Sequence, residues 1–276
     1  MEIIMKAVRL HGAMDARLDE IAEPTAGPGQ VKIRVERTGI CGSDLGLFSF
    51  APVPDDYEHP LFHETGPHVL GHEFSGIVAE IGDGVSGIRL GALVAVRPNV
   101  WDGTCAACLR GEPNLCENYG FVGIHGGGGG YSRYVVVDPD QVHAMPDAVG
   151  ADAAAMVEST TVAWHAVKIS GAVEGCTALI IGAGPIGLAL LLCLRAKGAT
   201  RIIVSEISDS RRALAEQLGA QTIDPRETDP VEYSRTSGGG VDVSFDASGV
   251  GEVTLLPALE ALRPGGTSVI VAQFHG

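Results

Sequence analysis

Two groups of metal-ligand residues stand out before any fold is considered. Cys41 lies in Gly39-Ile40-Cys41-Gly42-Ser43-Asp44, His72 lies in Gly71-His72-Glu73, and Glu158 falls in a later segment of small residues. A thiolate, an imidazole and a carboxylate give zinc three protein ligands and leave one position open, as a catalytic zinc requires. Asp44 is placed to orient His72 through its second ring nitrogen. Singly these residues say little, because a buried cysteine is usually core and a helical glutamate is usually solvated. Their joint occurrence carries the reading.

The second group is Cys105-x2-Cys108-x7-Cys116, with Asp102 three residues ahead of Cys105. Closely spaced cysteines separated by turn residues suit a closed structural zinc, which wants four ligands in a tetrahedron. Three are sulfurs, and Asp102 can supply an oxygen as the fourth. The alternative is a reduced cysteine loop without metal. His59, His63 and His68 recur near His72, but Pro60 and Gly66-Pro67 argue for a loop, and only His72 is kept as a ligand. Cys193 sits in an apolar helical stretch and reads as core, while Cys176 lies in a turn and receives no role.

A third motif points to a dinucleotide. Gly182-Ala183-Gly184-Pro185-Ile186-Gly187 is a G-x-G-x-x-G between an apolar strand and an apolar helix. In such a turn the first glycine makes the bend, the second admits the pyrophosphate, and the third permits close helix packing. The helix N-terminus offers free amides to the phosphates. Glu206 follows 22 residues after Gly184, where an acid accepts hydrogen bonds from the adenosine ribose and repels a 2′-phosphate. NAD is therefore favoured over NADP. Arg201, Arg211 and Arg212 work against that preference, since a nearby arginine can neutralise a phosphate; Arg211 is counted with the cofactor-binding residues.

The elements that must position these groups change character along the chain. Up to about residue 150, short alternating segments broken by Gly, Pro and Asp predict antiparallel strands at Val31–Val35, Phe74–Ile81, Ala92–Arg97 and Tyr131–Val137. Gly126–Gly130 is expected to be a flexible loop. Gly150–Ser170 looks helical. From residue 177, strands Thr177–Ile181, Arg201–Glu206, Thr222–Asp224, Val241–Asp246 and Thr267–Gln273 alternate with helices Pro185–Lys197, Ser210–Leu218 and one near Glu252–Leu262. That alternation predicts a parallel sheet with crossovers.

Composition limits the partners. The 276 residues exceed what one core usually serves, so two domains are expected. With 34 acidic against 19 basic side chains and a net charge of −15, nucleic acid would meet a repulsive surface. The longest apolar run, Ile186–Leu194, falls well short of the about 20 residues a bilayer span needs. Met1–Gly12 has no leader pattern. The clustered cysteines suit a reducing compartment, and a soluble cytoplasmic protein is expected.

Together these residues resemble the zinc-containing medium-chain alcohol dehydrogenases, and within them the butanediol and sorbitol dehydrogenase branch. The resemblance spans essentially the whole chain: Gly39–Asp44, Gly71–Gly76, the cysteine loop, Val157-Glu158, Gly182–Gly187 and Val241–Phe245, with Gly120–Val137 most like butanediol dehydrogenases. It implies an α/β protein with a GroES-like, β-rich, zinc-binding catalytic domain over residues 1–163 and a Rossmann NAD-binding domain over 164–276. The substrate would bind between them. It further implies that Cys41, His72 and Glu158 surround the catalytic zinc, with Glu73 a neighbouring carboxylate able to exchange onto it. Ser43 matches the hydroxyl that takes the substrate proton, and Val271, Ala272 and Gln273 fall where relatives line the nicotinamide pocket.

Three departures accompany the resemblance. Asp102 stands where most members have a cysteine, Gly46 where many have a proton-relaying histidine, and relatives continue beyond Gly276. The expectation is thus an incomplete cofactor domain whose last strand is an apolar edge, and a homo-oligomer in the full-length form. The implied reaction is reversible oxidation of a secondary alcohol or vicinal diol such as butanediol with NAD. Sorbitol, another polyol or threonine is the alternative substrate, and a non-catalytic zinc- and dinucleotide-binding protein is the alternative of another class.

Overall fold

The computed structural model describes residues 3–50, 53–54, 56–236 and 238–273. Contacts divide the chain into two compact units, residues 1–158 and 159–276.

The first unit is built on a five-stranded antiparallel sheet in the order Val142–Ala144, Leu93–Val96, Phe74–Ile81, Val31–Thr38, Tyr134–Val137. Val31 and Ile33 alternate inward and meet Val137 and Val135 directly across one neighbouring strand. Ile33 also faces Val78 across the other. With Phe74, Val94 and Val96 they form the core of this unit. Each such side chain contributes about 1.5–3 kcal/mol by leaving water.

A second sheet in this unit pairs Asp15–Ala22, Ile4–Gly12 and His68–Val69. No strand is predicted before Val31, because Lys6, Arg9, Arg17 and Asp19 interrupt the apolar alternation. The charges are accommodated in pairs: Arg9 lies 3.5 Å from Asp19.

Gly126–Gly130 is packed rather than loose. A Cβ at Gly127 would come 2.6 Å from the Phe62 ring, one at Gly129 would lie 2.5 Å from the Leu70 carbonyl oxygen, and one at Gly130 would lie 2.6 Å from Thr38 Oγ1. The run is glycine because the backbone threads between residues that leave no room for a side chain.

The second unit has a five-stranded, all-parallel sheet in the order Gln221–Ile223, Arg201–Ser205, Thr177–Ile181, Val241–Asp246, Leu262–Ile270. Along the central strand, Ala178 and Ile180 join one apolar cluster with Leu190 and Leu194 of helix Pro185–Ala196. Leu179 and Ile181 join another with Ala258 and Ala261. Both faces are covered, so the strand reads as a continuous apolar run. Strand order reverses beside Thr177–Ile181, the switch point of a doubly wound sheet where ligands bind.

Several boundaries shift by one to three residues, as where the strand expected over Tyr131–Val137 begins at Tyr134, and two departures are larger. The last strand is Leu262–Ile270, not Thr267–Gln273: Val241 pairs with Leu262 and Val243 with Thr267, so Arg263–Gly266 bulges between neighbouring pairs. Pro264 and Gly265 mark that bulge and not the strand's beginning. The helix expected over Gly150–Ser170 is two helices, Ala151–Ala155 and Val157–Ile169. They part at Met156, where the ladder tightens to a bond from the Met156 N–H to the Ala153 carbonyl.

Candidate metal centres and dinucleotide site

Helix Gly42–Phe50 begins just after Cys41. Asp44, in its first turn, bends back so that Oδ2 accepts the Cys41 N–H at 2.8 Å, the reciprocal half of a capping box. Its Oδ1 faces His72 Nδ1 at 3.6 Å, and both side chains are buried. On its other edge His72 places Nε2 3.3 Å from Ser43 Oγ. Cys41, His72 and Glu73 each bring a ligand atom within 4.8 Å of the others. Gly39 makes this possible, since a Cβ there would lie 2.3 Å from Glu73 Oε2. Glu158, expected as the third ligand, stands outside the tight trio, yet the charges of His72, Glu73 and Asp44 act on its carboxyl.

The electrostatics suit a cation. Burial pushes up the Cys41 thiol, with a Ser43 hydrogen bond opposing it. Burial also raises the Glu73 carboxyl, with His72 opposing, and lifts Glu158 to about 6. A thiol and two acids whose charged forms are disfavoured gather around one imidazole, and a bound cation would reverse each shift. Neither His72 Nδ1 nor Asp44 Oδ1 has a hydrogen-bond partner among the described residues. A neutral imidazole with its proton on Nδ1, toward Asp44, keeps the Nε2 lone pair for metal. This sulfur, nitrogen and oxygen set fits zinc.

A residue that sequence did not single out also reaches this centre. The Tyr131 hydroxyl lies 3.0 Å from Asp44 Oδ2 and 3.2 Å from the Gly39 carbonyl oxygen. Burial, reinforced by the Asp44 charge, raises its pKa and keeps it a hydrogen-bond donor. Asp44 is 87 residues away, so no local pattern could have revealed the pair.

The cysteine loop converges as its spacing suggested. Asp102, Cys105, Cys108 and Cys116 bring their ligand atoms within 4.8 Å of one another. Asp102 Oδ1 accepts the N–H groups of Thr104 at 2.7 Å and Cys105 at 2.9 Å, and Oδ2 accepts Asn118 Nδ2 at 2.9 Å. These bonds, the Cys105 N–H foremost, hold the carboxyl well below the usual range. A carboxylate has about four acceptor positions, so one remains on Oδ2 for a metal. Cys116 Sγ accepts the N–H groups of Asp102 and Asn118 at 3.4 Å. Backbone N–H groups of Cys108 and Glu117 lower the Cys105 thiol, whereas burial and its two sulfur neighbours push Cys108 up to about 12. Three sulfurs and one anchored oxygen fit a closed zinc site.

In the second unit the three glycines of the turn have separate surroundings. Gly182 has φ +96°, and a Cβ there would lie 3.0 Å from the Ala247 carbonyl oxygen. A Cβ at Gly184 would meet nothing within 4 Å, whereas one at Gly187 would lie 2.0 Å from the Gly182 carbonyl oxygen. Pro185 and Ile186 open the helix, with Gly184 as its extended N-cap. Glu206 is buried, accepting the Ala183 N–H at 2.8 Å on Oε2 and the Ser208 N–H at 2.9 Å on Oε1.

Of the three arginines, only exposed Arg211 stands beside this carboxylate, at 4.0 Å. Arg201 is engaged elsewhere, with the Tyr233 and Ser234 carbonyls. Arg212 is held by the Glu206 carbonyl, Asp209 and Asp224. Val271 and Ala272 follow the last strand, and both N–H groups bond to the Asp246 carbonyl, at 2.9 and 3.0 Å. Gln273 follows beside Gly249. All three thus lie at the carboxyl end of the sheet.

Comparison with known proteins agrees with both units. Residues 27–147 match the alcohol dehydrogenase GroES-like domain and residues 185–276 match the zinc-binding dehydrogenase model. An (R,R)-butanediol dehydrogenase of Bacillus subtilis (strain 168) is 43% identical over 272 residues, covering 97% of this chain and 77% of the relative. An L-threonine 3-dehydrogenase of Pyrococcus abyssi (strain GE5 / Orsay) is 36% identical over 279 residues, covering 100% and 77%. The crystal structure of 2R,3R-butanediol dehydrogenase from Bacillus subtilis superposes with a TM-score of 0.91 at 42% identity, covering 99% of this chain and 78% of that one. With a GroES-like domain, a doubly wound parallel sheet and ligand groups of zinc type, the chain belongs to the zinc-containing medium-chain alcohol dehydrogenase family.

Proposed function

We propose that this chain interconverts a secondary alcohol or vicinal diol, of the butanediol and acetoin kind, with the corresponding ketone, using NAD. The observation that carries the reading is one chain holding both the Cys41–His72–Glu73 cluster and a glycine turn tied to Glu206. Zinc held by Cys41 and His72, with Glu158 and Glu73 as the exchangeable acids, would supply Lewis-acid polarisation of the alcohol oxygen. The nicotinamide would supply the hydride acceptor. Ser43, next to His72 Nε2, takes the hydroxyl proton, so the alcohol carbon loses a hydride and its oxygen a proton. Asp44 holds the imidazole tautomer, and the Glu206 carboxylate keeps two acceptor positions for ribose hydroxyls. Val271, Ala272 and Gln273 would border the nicotinamide.

NAD over NADP is supported by the buried Glu206, by Arg201 bonding to the Tyr233 and Ser234 carbonyls, and by Arg212 being held by the Glu206 backbone carbonyl, Asp209 and Asp224. A structural zinc in the cysteine loop, homo-oligomeric assembly and a cytoplasmic setting belong to the same reading; all six cysteines are free, as a reducing compartment requires. No helix of the described residues is long and apolar enough to cross a membrane. The test is NADH formation by the zinc-loaded protein on a panel of butanediol, sorbitol and threonine, run with NAD and with NADP. Highest kcat/KM on butanediol with NAD is expected. Zinc and NAD binding without turnover on any alcohol would overturn the reading.

A further inference from the structure

We propose that Tyr131 is a positioning residue for the zinc centre, its hydroxyl fixing the Asp44 carboxylate and, through it, the His72 imidazole. The inference rests on the reading of Cys41 and His72 as zinc ligands. Asp44 Oδ2 is held from two sides, by the Cys41 N–H at 2.8 Å and the Tyr131 hydroxyl at 3.0 Å. Two donors on one oxygen stop the carboxylate turning about its last bond and leave Oδ1 aimed at His72 Nδ1, 3.6 Å away. A metal-bound histidine keeps its orientation and basicity only if its other nitrogen faces such a partner.

Tyr131 also braces the chain leading into His72. Its N–H bonds to the Leu70 carbonyl at 2.9 Å, and the Gly130 N–H bonds to the Gly71 carbonyl at 2.7 Å. Its ring fills the space a Gly71 side chain would take, since a Cβ there would lie 2.7 Å from Tyr131 Cδ1. Gly71 directly precedes His72 and has φ +95°. This gives the glycine run a purpose: Gly129 and Gly130, with no room for a Cβ, let the chain bring Tyr131 beneath the centre.

The experiment follows zinc loss from the holoenzyme to a chelator for wild type, Tyr131→Phe, Asp44→Asn, their double variant and Cys41→Ser, alongside melting of the zinc-free forms. Tyr131→Phe is expected to lose its Cys41-dependent zinc about tenfold faster, the low end for an outer-shell partner, with unchanged zinc-free melting. The double variant should lose zinc no faster than Asp44→Asn alone, because the hydroxyl acts through that carboxylate. Wild-type zinc retention by Tyr131→Phe, with Cys41→Ser depleted, would overturn the Tyr131 proposal alone. An equal loss of melting temperature with and without zinc would reduce Tyr131 to packing and also overturn it. Full zinc retention by Cys41→Ser would instead overturn the zinc-ligand reading beneath it.

Discussion

The Glu206 carboxylate and the Ala183 N–H meet at 2.8 Å, tying the acid after the second strand of the parallel sheet to the middle of the glycine turn. The acid therefore shapes the turn, besides the ribose-binding role proposed for it. Glu206→Gln should raise the KM for NAD about tenfold, equivalent to about 1.4 kcal/mol of lost charged hydrogen bonding. It should narrow the gap to NADP, because Arg211 then loses its ion pair with the Glu206 carboxylate. Steady-state kinetics with both cofactors checks this; an unchanged NAD constant would mean that the ribose is held elsewhere.

Substitutions at Gly184 and Gly187 should separate binding from stability. Gly184→Ala adds a Cβ to open space at an extended backbone position. Its melting temperature should hold, with stability within about 0.5 kcal/mol, while NAD affinity falls as the methyl occupies the pyrophosphate's approach. Gly187→Ala drives a Cβ to 2.0 Å from a backbone carbonyl. It should cost stability by about 1–3 kcal/mol, at the upper end because backbone cannot swing aside. Calorimetry with and without NAD distinguishes the two.

What sequence disclosed here depended on how far the explanation lay along the chain. The strand Thr177–Ile181 and the turn after it were legible because apolar run, glycines and helix are contiguous. The cysteine loop was legible for the same reason. Tyr131 was not, since its partner lies in a helix 87 residues earlier. Nor was the packing of Gly126–Gly130, which is set by Phe62, Leu70 and Thr38. Glu73 and Glu158 were both visible as acids, but only folding shows which sits with Cys41 and His72. Punctuation misled at Arg263–Gly266, where Pro and Gly lie inside a strand as a bulge.

The cysteine loop should hold a second zinc. Metal analysis of the purified protein should give about two zinc ions per chain, a closed site and an open one. Asp102→Ala should remove one of them and open Cys105 and Cys108 to alkylation. No more than one zinc in the unaltered protein, with both thiols freely alkylated, would show that the loop closes through Asp102 hydrogen bonds alone.

Glu158 should make the zinc-free protein lose stability as pH rises. Its folded value, about 6, lies above the ordinary 4.5. The folded state therefore binds more proton between those values, so the contribution is full below about pH 4.5 and is lost as pH rises through about 6, amounting to about 2 kcal/mol. Glu158→Gln should remove this slope and raise zinc-free stability at pH 8. Urea unfolding of both proteins from pH 4.5 to 8 measures it, and parallel curves would refute the assignment.

The unequal surroundings of the glycines bear on how this turn can change over generations. Gly187 is demanded by the folded chain itself, through the Gly182 carbonyl, whereas a Cβ at Gly184 would meet open space, so on the proposed reading the constraint there comes from the bound dinucleotide. A descendant released from dinucleotide chemistry would thus be free to replace Gly184 while still retaining Gly187. A surviving third glycine beside an altered second one would be the trace of an abandoned cofactor, written in a sequence whose fold had not changed.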